Sequence, residues 1–258
     1  MHLFSIAALA STLVLLKPCL VDADTVVELP TRAVPIDLKY QPVMDFDKDS
    51  CYNTAAVDPY GNVNNGLNPS TSNTRDCRNI YRLAHNNVYS RHMCNRGWCA
   101  IIYAYYFEMD SVDLVVGNSG HRHDWEHVVV WVKNNVVRSV ATSAHGNFDI
   151  DPGNKVRFQD THPKIVYHRD WKRTRRMRLA EAKDDNIENE LGIWFLGGLV
   201  DWSGFPSYYV RDQLLNYNFG SAHMQFSDAE IGGKLAKSMP QDARNEGFDC
   251  AYNDGSHW

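Results

Sequence analysis

The sequence predicts a mainly β, single-domain protein built around an antiparallel sheet, with a few peripheral helices. Three observations predict it. Ala100–Phe107 (AIIYAYYF) is a short β-branched and aromatic run of the kind that fills a buried strand. Val128–Val132, the Asn134-Asn135 turn and Val136–Ala141 then follow in the order strand, tight turn, strand, which is a meander. Finally, 258 residues at 44% hydrophobic content suffice for one full-sized core, and neither repeat nor linker divides the chain.

Taken in order, the chain opens on an apolar run from Leu3 to Leu16, followed by Lys17-Pro18 and Val21-Asp22-Ala23. That is the form of a secretory signal peptide, residues 1–23, cut after about Ala23, although His2 stands where a Lys or Arg is usual. The run is shorter than the roughly 20 residues that span a bilayer, so a membrane anchor is the weaker reading. The mature domain, 24–258, is expected to be secreted and soluble. Residues 24–50 read as an extended, charged lead-in, and residues 51–77, rich in Asn, Gly, Ser and Pro, as a long ordered loop. Tyr81–Arg91 fits a strand or a short helix equally. Short strands are expected at Val156–Phe158 and Lys164–His168, and helices at Tyr208–Asn216 and Asp228–Lys237. Between them, Lys172, Arg173, Arg175, Arg176 and Arg178 precede Glu181, Asp184, Asp185, Glu188 and Glu190. Positive before negative opposes a helix dipole, so a helix over 171–190 has little support. The basic half is expected to pair with the acidic half on a solvated face, the alternative being an anionic membrane surface. Gly197–Pro206 reads as a loop that exposes Trp202.

Cysteine usage agrees with an oxidising compartment. Cys19 leaves with the signal peptide. Cys94 and Cys99 can close a small loop and Cys51 with Cys77 a larger one, which leaves Cys250 over. A zinc site on Cys94 and Cys99 lacks a second pair at finger spacing. The net charge of −5 gives no sign of a nucleic-acid surface, and Asn68-Pro69-Ser70 is barred from glycosylation by its proline.

The chemistry concentrates in Gly120–His127 (GHRHDWEH), where three imidazoles, two carboxylates and a guanidinium crowd into His121–His127 just ahead of a buried strand. Ionisable groups avoid interiors unless they are paired or hold a metal. Charges pairing at a polar strand end is one reading; a divalent-cation site is the other. Alternation on a straight strand separates His121 from Asp124 and Glu126. A bend at Gly120 is therefore expected, with His121 in a loop, Asp124 and Glu126 on one face, and Asp110 across from them. Oxygen-rich ligands favour Mg²⁺ or Ca²⁺. Ligation by His121 and His123 instead suits zinc or iron, with Glu126 as general base. No His-Glu-x-x-His, Gly-x-Ser-x-Gly or glycine-rich phosphate loop is present. On the residues alone, a binding module and a metalloenzyme stand level.

The heptapeptide Gly120–Glu126 and the Ala100–Phe107 strand resemble those of the necrosis- and ethylene-inducing peptide-like proteins. Cys51 with Ala56-Val57-Asp58, Gly66-Leu67, Cys77-Arg78 and Val88-Tyr89-Ser90-Arg91 extend the resemblance, as do Asn218-Phe219-Gly220 and Lys234-Leu235-Ala236. It covers roughly residues 35–240, and Cys94 with Cys99 resembles the subgroup that has a second disulfide. The resemblance implies a secreted β-sandwich similar to the actinoporin cytolysins, monomeric before it meets a membrane and not an enzyme. It implies a divalent cation, Mg²⁺ or Ca²⁺, in an acidic cavity, and disruption of plant plasma membranes through the head groups of the sphingolipid glycosylinositol phosphorylceramide. Carried over by position, the metal site is Asp110, His121, Asp124 and Glu126, with Asp113 as the fallback for Asp110. His145 is implied as a further cavity residue, and Trp202 as a head-group residue on a membrane- or sugar-facing loop. Glu108-Met109-Asp110 replaces the family's usual Pro-Lys-Asp, which is expected to make the cavity rim more acidic. Lys172–Glu190 looks like an insertion or a divergent stretch. Non-lytic members imply an alternative role as an elicitor perceived by plant immune receptors. A metal-dependent hydrolase of plant surface glycans is a more distant alternative.

Overall fold

The computed structural model describes residues 26–69, 74–112, 119–170 and 175–255. The segment 1–23 expected as a signal peptide lies outside them, as do Asp113, Lys172 and Arg173. Among the described residues the strands run, in chain order, β1 (Val43–Phe46), β2 (Asn87–Asn95), β3 (Trp98–Val112), β4 (Ser119–Lys133), β5 (Val136–Ala144), β6 (Asn147–Pro152), β7 (Phe158–Gln159), β8 (His162–Arg169), β9 (Arg175–Leu179) and β10 (Gly198–Asp201). The helices are α1 (Pro35–Tyr40), α2 (Ile80–Ala84), α3 (Tyr208–Asn216), α4 (Ile231–Ser238) and α5 (Gln241–Asn245). No helix among the described residues is long and apolar enough to cross a membrane.

The larger sheet has the order β10-β2-β3-β4-β5-β6. From β2 to β6 it is the expected antiparallel meander, and its turns are tight because left-handed residues occupy them. Asn134 (φ 53°) and Asn135 (φ 60°) join β4 to β5, and His145 (φ 49°) and Gly146 (φ 83°) join β5 to β6. The smaller sheet has the order β1-β8-β7, with β9 also paired to β8. Two pairings, β1 with β8 and β10 with β2, are parallel. A meander does not foretell these, because each joins strands distant in sequence.

Alternate side chains of β3 enter two different cores. Ile101, Tyr103, Tyr105 and Phe107 face the smaller sheet, against Met44, Ile165, Tyr167 and Met177. Ala100, Ile102, Ala104 and Tyr106 join Trp131, Leu214, Ile231, Leu235 and Phe248 beneath the helices. Burial on both faces is why this strand reads as a continuous apolar run rather than an alternating one. Helices α3, α4 and α5 thus form a third layer behind the two-sheet sandwich, while α1 and α2 pack into the core between the sheets.

Several local expectations change. Residues 35–40 form α1, with Pro35 in the first turn where its missing N–H costs nothing, and β1 follows; the lead-in is not extended throughout. Tyr81–Arg91 divides between α2 and β2. Among its described residues the charged stretch yields no α-helix: Arg175–Leu179 is β9, and a 3₁₀ turn covers Ala182–Asp185. Basic does meet acidic there, through Arg178 with Asp184 at 2.6 and 2.9 Å. The disulfides Cys51–Cys77 and Cys94–Cys99 both form, and Cys250 takes part in neither.

Candidate functional site

His123 creates the site. It lies within β4 yet has φ +64°, a conformation L residues other than Gly adopt only rarely. The ladder to β3 pairs Asp124 with Phe107 and Arg122 with Met109, but skips His123. One left-handed residue breaks the alternation, so His121 and Asp124, three apart, line the same cavity. The bend expected at Gly120 is therefore at His123, and His121 is a strand residue paired with Asp110 rather than a loop residue.

The His123 ring turns to the other face. Its Nδ1 is 2.7 Å from the Tyr106 hydroxyl, and the ring lies edge-on to Phe219, with centroids 5.0 Å apart. Gly66 (φ +65°) passes so close that a Cβ there would sit 2.6 Å from His123 Nδ1. Three signature segments, Gly66-Leu67, Gly120–Glu126 and Asn218-Phe219-Gly220, thus converge on one ring. Burial lowers the His123 pKa to about 4, so the ring is neutral.

The cavity, about 210 Å³, gathers Asp110, His121, Asp124, Glu126 and His145. Asp110 is buried; its Oδ1 lies 3.3 Å from both the backbone N and Nη1 of Arg175, and its Oδ2 is 3.9 Å from His121 Nε2. His121 Nδ1 donates to the His123 carbonyl at 2.6 Å, which leaves Nε2 as the ring nitrogen that faces Asp110. Asp124 accepts from the Tyr167 hydroxyl (3.0 Å) and the Trp125 amide (3.0 Å). Glu126 accepts from the Ser143 hydroxyl, which in turn accepts from the His127 amide at 2.8 Å. At the rim, His145 Nε2 meets Asp170 at 3.0 Å.

Burial dominates the electrostatics. It raises the Asp124 pKa to about 7, helped by the neighbouring Asp110 charge. It raises Glu126 well above the usual carboxylate range, with Asp124 adding to it. Burial also raises Asp110, against the opposing pull of Arg175 and His121. Among the described residues no Lys or Arg forms an ion pair with Asp124 or Glu126. Two buried carboxylates without a basic partner form an unfavourable arrangement that a cation would relieve.

The donor set suits a hard divalent ion: three carboxylates, a hydroxyl and an imidazole. Yet among the described residues no three His, Cys, Asp or Glu side chains converge on a single metal position. Such an ion would therefore keep part of its water shell.

Trp202 does not line this cavity. It follows β10, at the opposite edge of the larger sheet from β5 and β6. Its ring is flanked by the guanidiniums of Arg91 (4.0 Å) and Arg211 (4.1 Å), and it lines a separate cavity with Tyr208. Glu108 does not acidify the rim. It is buried on the other face of β3, where it forms an ion pair with Arg82 and accepts from Asn64 at 3.2 Å. The sequence reading missed Ser143, Tyr167 and Arg175. Only Arg175 carried a signal, as one basic residue in a charged stretch.

The family model for necrosis inducing protein (NPP1) matches residues 35–238. The chain belongs to this family. NLP effector protein 10 of Phytophthora capsici is 31% identical over 199 residues, covering 75% of this chain and 78% of that protein. The crystal structure of Necrosis and Ethylene inducing Protein 2, from the causal agent of cocoa's Witches Broom disease, shares the fold with a TM-score of 0.69 at 26% identity, covering 84% of this chain and 96% of that one. NLPPya in complex with mannosamine has a TM-score of 0.70 at 27% identity, covering 84% and 98%. This family is one of necrosis-inducing effectors with a toxin fold, not of enzymes, so the metalloenzyme reading is set aside.

Proposed function

We propose that this protein is a secreted cytolytic effector that engages the sugar head groups of plant plasma-membrane sphingolipid, glycosylinositol phosphorylceramide, through a divalent cation held in the β3–β4–β9 cavity. The observation that carries it is the pair of buried carboxylates, Asp124 and Glu126, at the floor of an open cavity without a basic partner among the described residues. Asp110, Asp124 and Glu126 would hold the ion, Mg²⁺ or Ca²⁺, with His121 Nε2 beside them. When bound, the ion supplies a charge that can bind sugar hydroxyls or a phosphate. Ser143 and Tyr167 keep the carboxylates in place by donating to them. His145 stands at the rim, where a sugar would enter. The solved complex of NLPPya with mannosamine, an amino sugar, supports a carbohydrate-directed role for the same fold.

The test is dye release from vesicles containing glycosylinositol phosphorylceramide, comparing wild type with Asp124→Ala, with and without a chelator. Release is expected only where sphingolipid, cation and Asp124 are all present. Undiminished release by a folded Asp124→Ala protein would sink the site. No release by cation-loaded wild type would move the chain to a non-lytic role, with recognition by plant immune receptors tested next.

A further inference from the structure

The cation reading leaves open what fixes the charge of the ion the cavity accepts, and the inference here rests on that reading. Among the described residues lining the cavity, Arg175 is the side chain with a permanent positive charge, the other basic ones being imidazoles. Its side chain is fully buried, with Nη1 3.3 Å from Asp110 Oδ1. Nε donates to the Asp49 carbonyl at 2.9 Å and Nη2 donates to the same oxygen, while the backbone N–H donates to Asp110. The guanidinium is therefore anchored from two sides, and it cannot lose its proton. The neighbouring arginines are engaged elsewhere, Arg176 on Asp149 and Asp170 and Arg178 on Asp184. Three carboxylates offset by one fixed guanidinium leave two negative charges when all are ionised.

We propose that Arg175 sets the charge selectivity of this cavity: with the three carboxylates ionised around a bound ion, it leaves a net −2 that a single divalent ion neutralises. A trivalent ion would leave an excess buried charge, and a monovalent ion a deficit; both are penalised in a low-dielectric site. Were Arg175 only a staple for the Asp49 loop, its loss would lower stability but leave the preference between ions of different charge untouched.

The experiment measures the Tb³⁺ and Ca²⁺ affinities of the full chain by terbium luminescence competition and calorimetry. The proteins are wild type, R175Q, D110N and the D110N/R175Q double variant, each checked for folding by circular dichroism. R175Q (net −3) is expected to raise the Tb³⁺-to-Ca²⁺ affinity ratio by about tenfold or more. D110N (net −1) should lower it. The double variant, again net −2 and free of an unpaired buried charge, should return to within about threefold of wild type. If R175Q fails to fold, D110N and the double variant still decide, since the inference requires them to differ from each other. An unchanged ratio in folded R175Q, or equal ratios in D110N and the double variant, overturns the role of Arg175 while leaving a cation site intact. Wild type that binds neither ion at millimolar concentration overturns the cation reading and this inference with it.

Discussion

The Asp124 carboxyl is buried, and its pKa of about 7 has a consequence for stability that can be signed. An acid whose folded pKa lies above its unfolded value of about 3.9 stabilises the fold below that value, and the benefit is lost as pH rises towards 7. The buried His123 (about 4) and His127 (about 3) act in the opposite sense, since their stability is present above pH 6.5 and is lost as pH falls. A comparison of wild type with Asp124→Asn cancels the histidines. In chelator, Asp124→Asn should gain stability relative to wild type by on the order of 2 kcal/mol between pH 5 and pH 8. Denaturant unfolding at the two values measures it, and a pH-independent difference would mean that Asp124 is already ionised without an ion. The residue types at this site were legible in the sequence, because carboxylates beside a buried strand demand an explanation. The position of the bend was not: a positive φ at His123 is set by Tyr106, Phe219 and Gly66, which are tertiary neighbours.

Elements were legible where burial imposes a pattern. The β3 run, the Asn134-Asn135 turn and the α3 segment emerge as read because each is fixed by local sequence. The β9 strand was not, since Arg175 and Met177 are buried while Arg176 and Arg178 make ion pairs at its flank, and a strand of alternating arginines resembles a solvated face. The same contrast between local and distant bonding separates the two disulfides. Cys94 and Cys99 are register partners across the β2–β3 hairpin, five residues apart, so the ladder already holds them together. Cys51 and Cys77 are 26 residues apart and pin a loop whose described residues have little regular structure. Loop-closure entropy then predicts that replacing Cys51 and Cys77 by Ala costs about 3–4 kcal/mol, and replacing Cys94 and Cys99 about 2 kcal/mol or less. Equilibrium denaturation of the two double variants gives the order, and a costlier loss of the hairpin bridge would refute the argument.

At the scale of the whole molecule, the cavity belongs to no single segment. Its walls come from the larger sheet, from β9 of the smaller sheet, and from residues 221–225 of the segment between α3 and α4. The last of these is tied to the sheet by the Gln225 amide, which donates to the buried His127 ring at 3.3 Å. Behind the sheet, Phe219 connects the same segment to His123, and α4 packs through Ile231 and Leu235 into the core that Tyr106 shares. An unfolded chain cannot assemble such a site, so an ion that binds it should stabilise every layer and not the cavity alone. At a free cation concentration about 100 times the dissociation constant, the gain should be about 2.7 kcal/mol. Hydrogen exchange should show it as slowing of up to about 100-fold in the most protected amides of β2 and β3, accompanied by slowing in α4 on the far side of the sheet. Slowing confined to residues 221–225 would show instead that this wall opens independently of the sandwich. In that case the ion would order one loop at the cavity rather than lock the three layers as a unit.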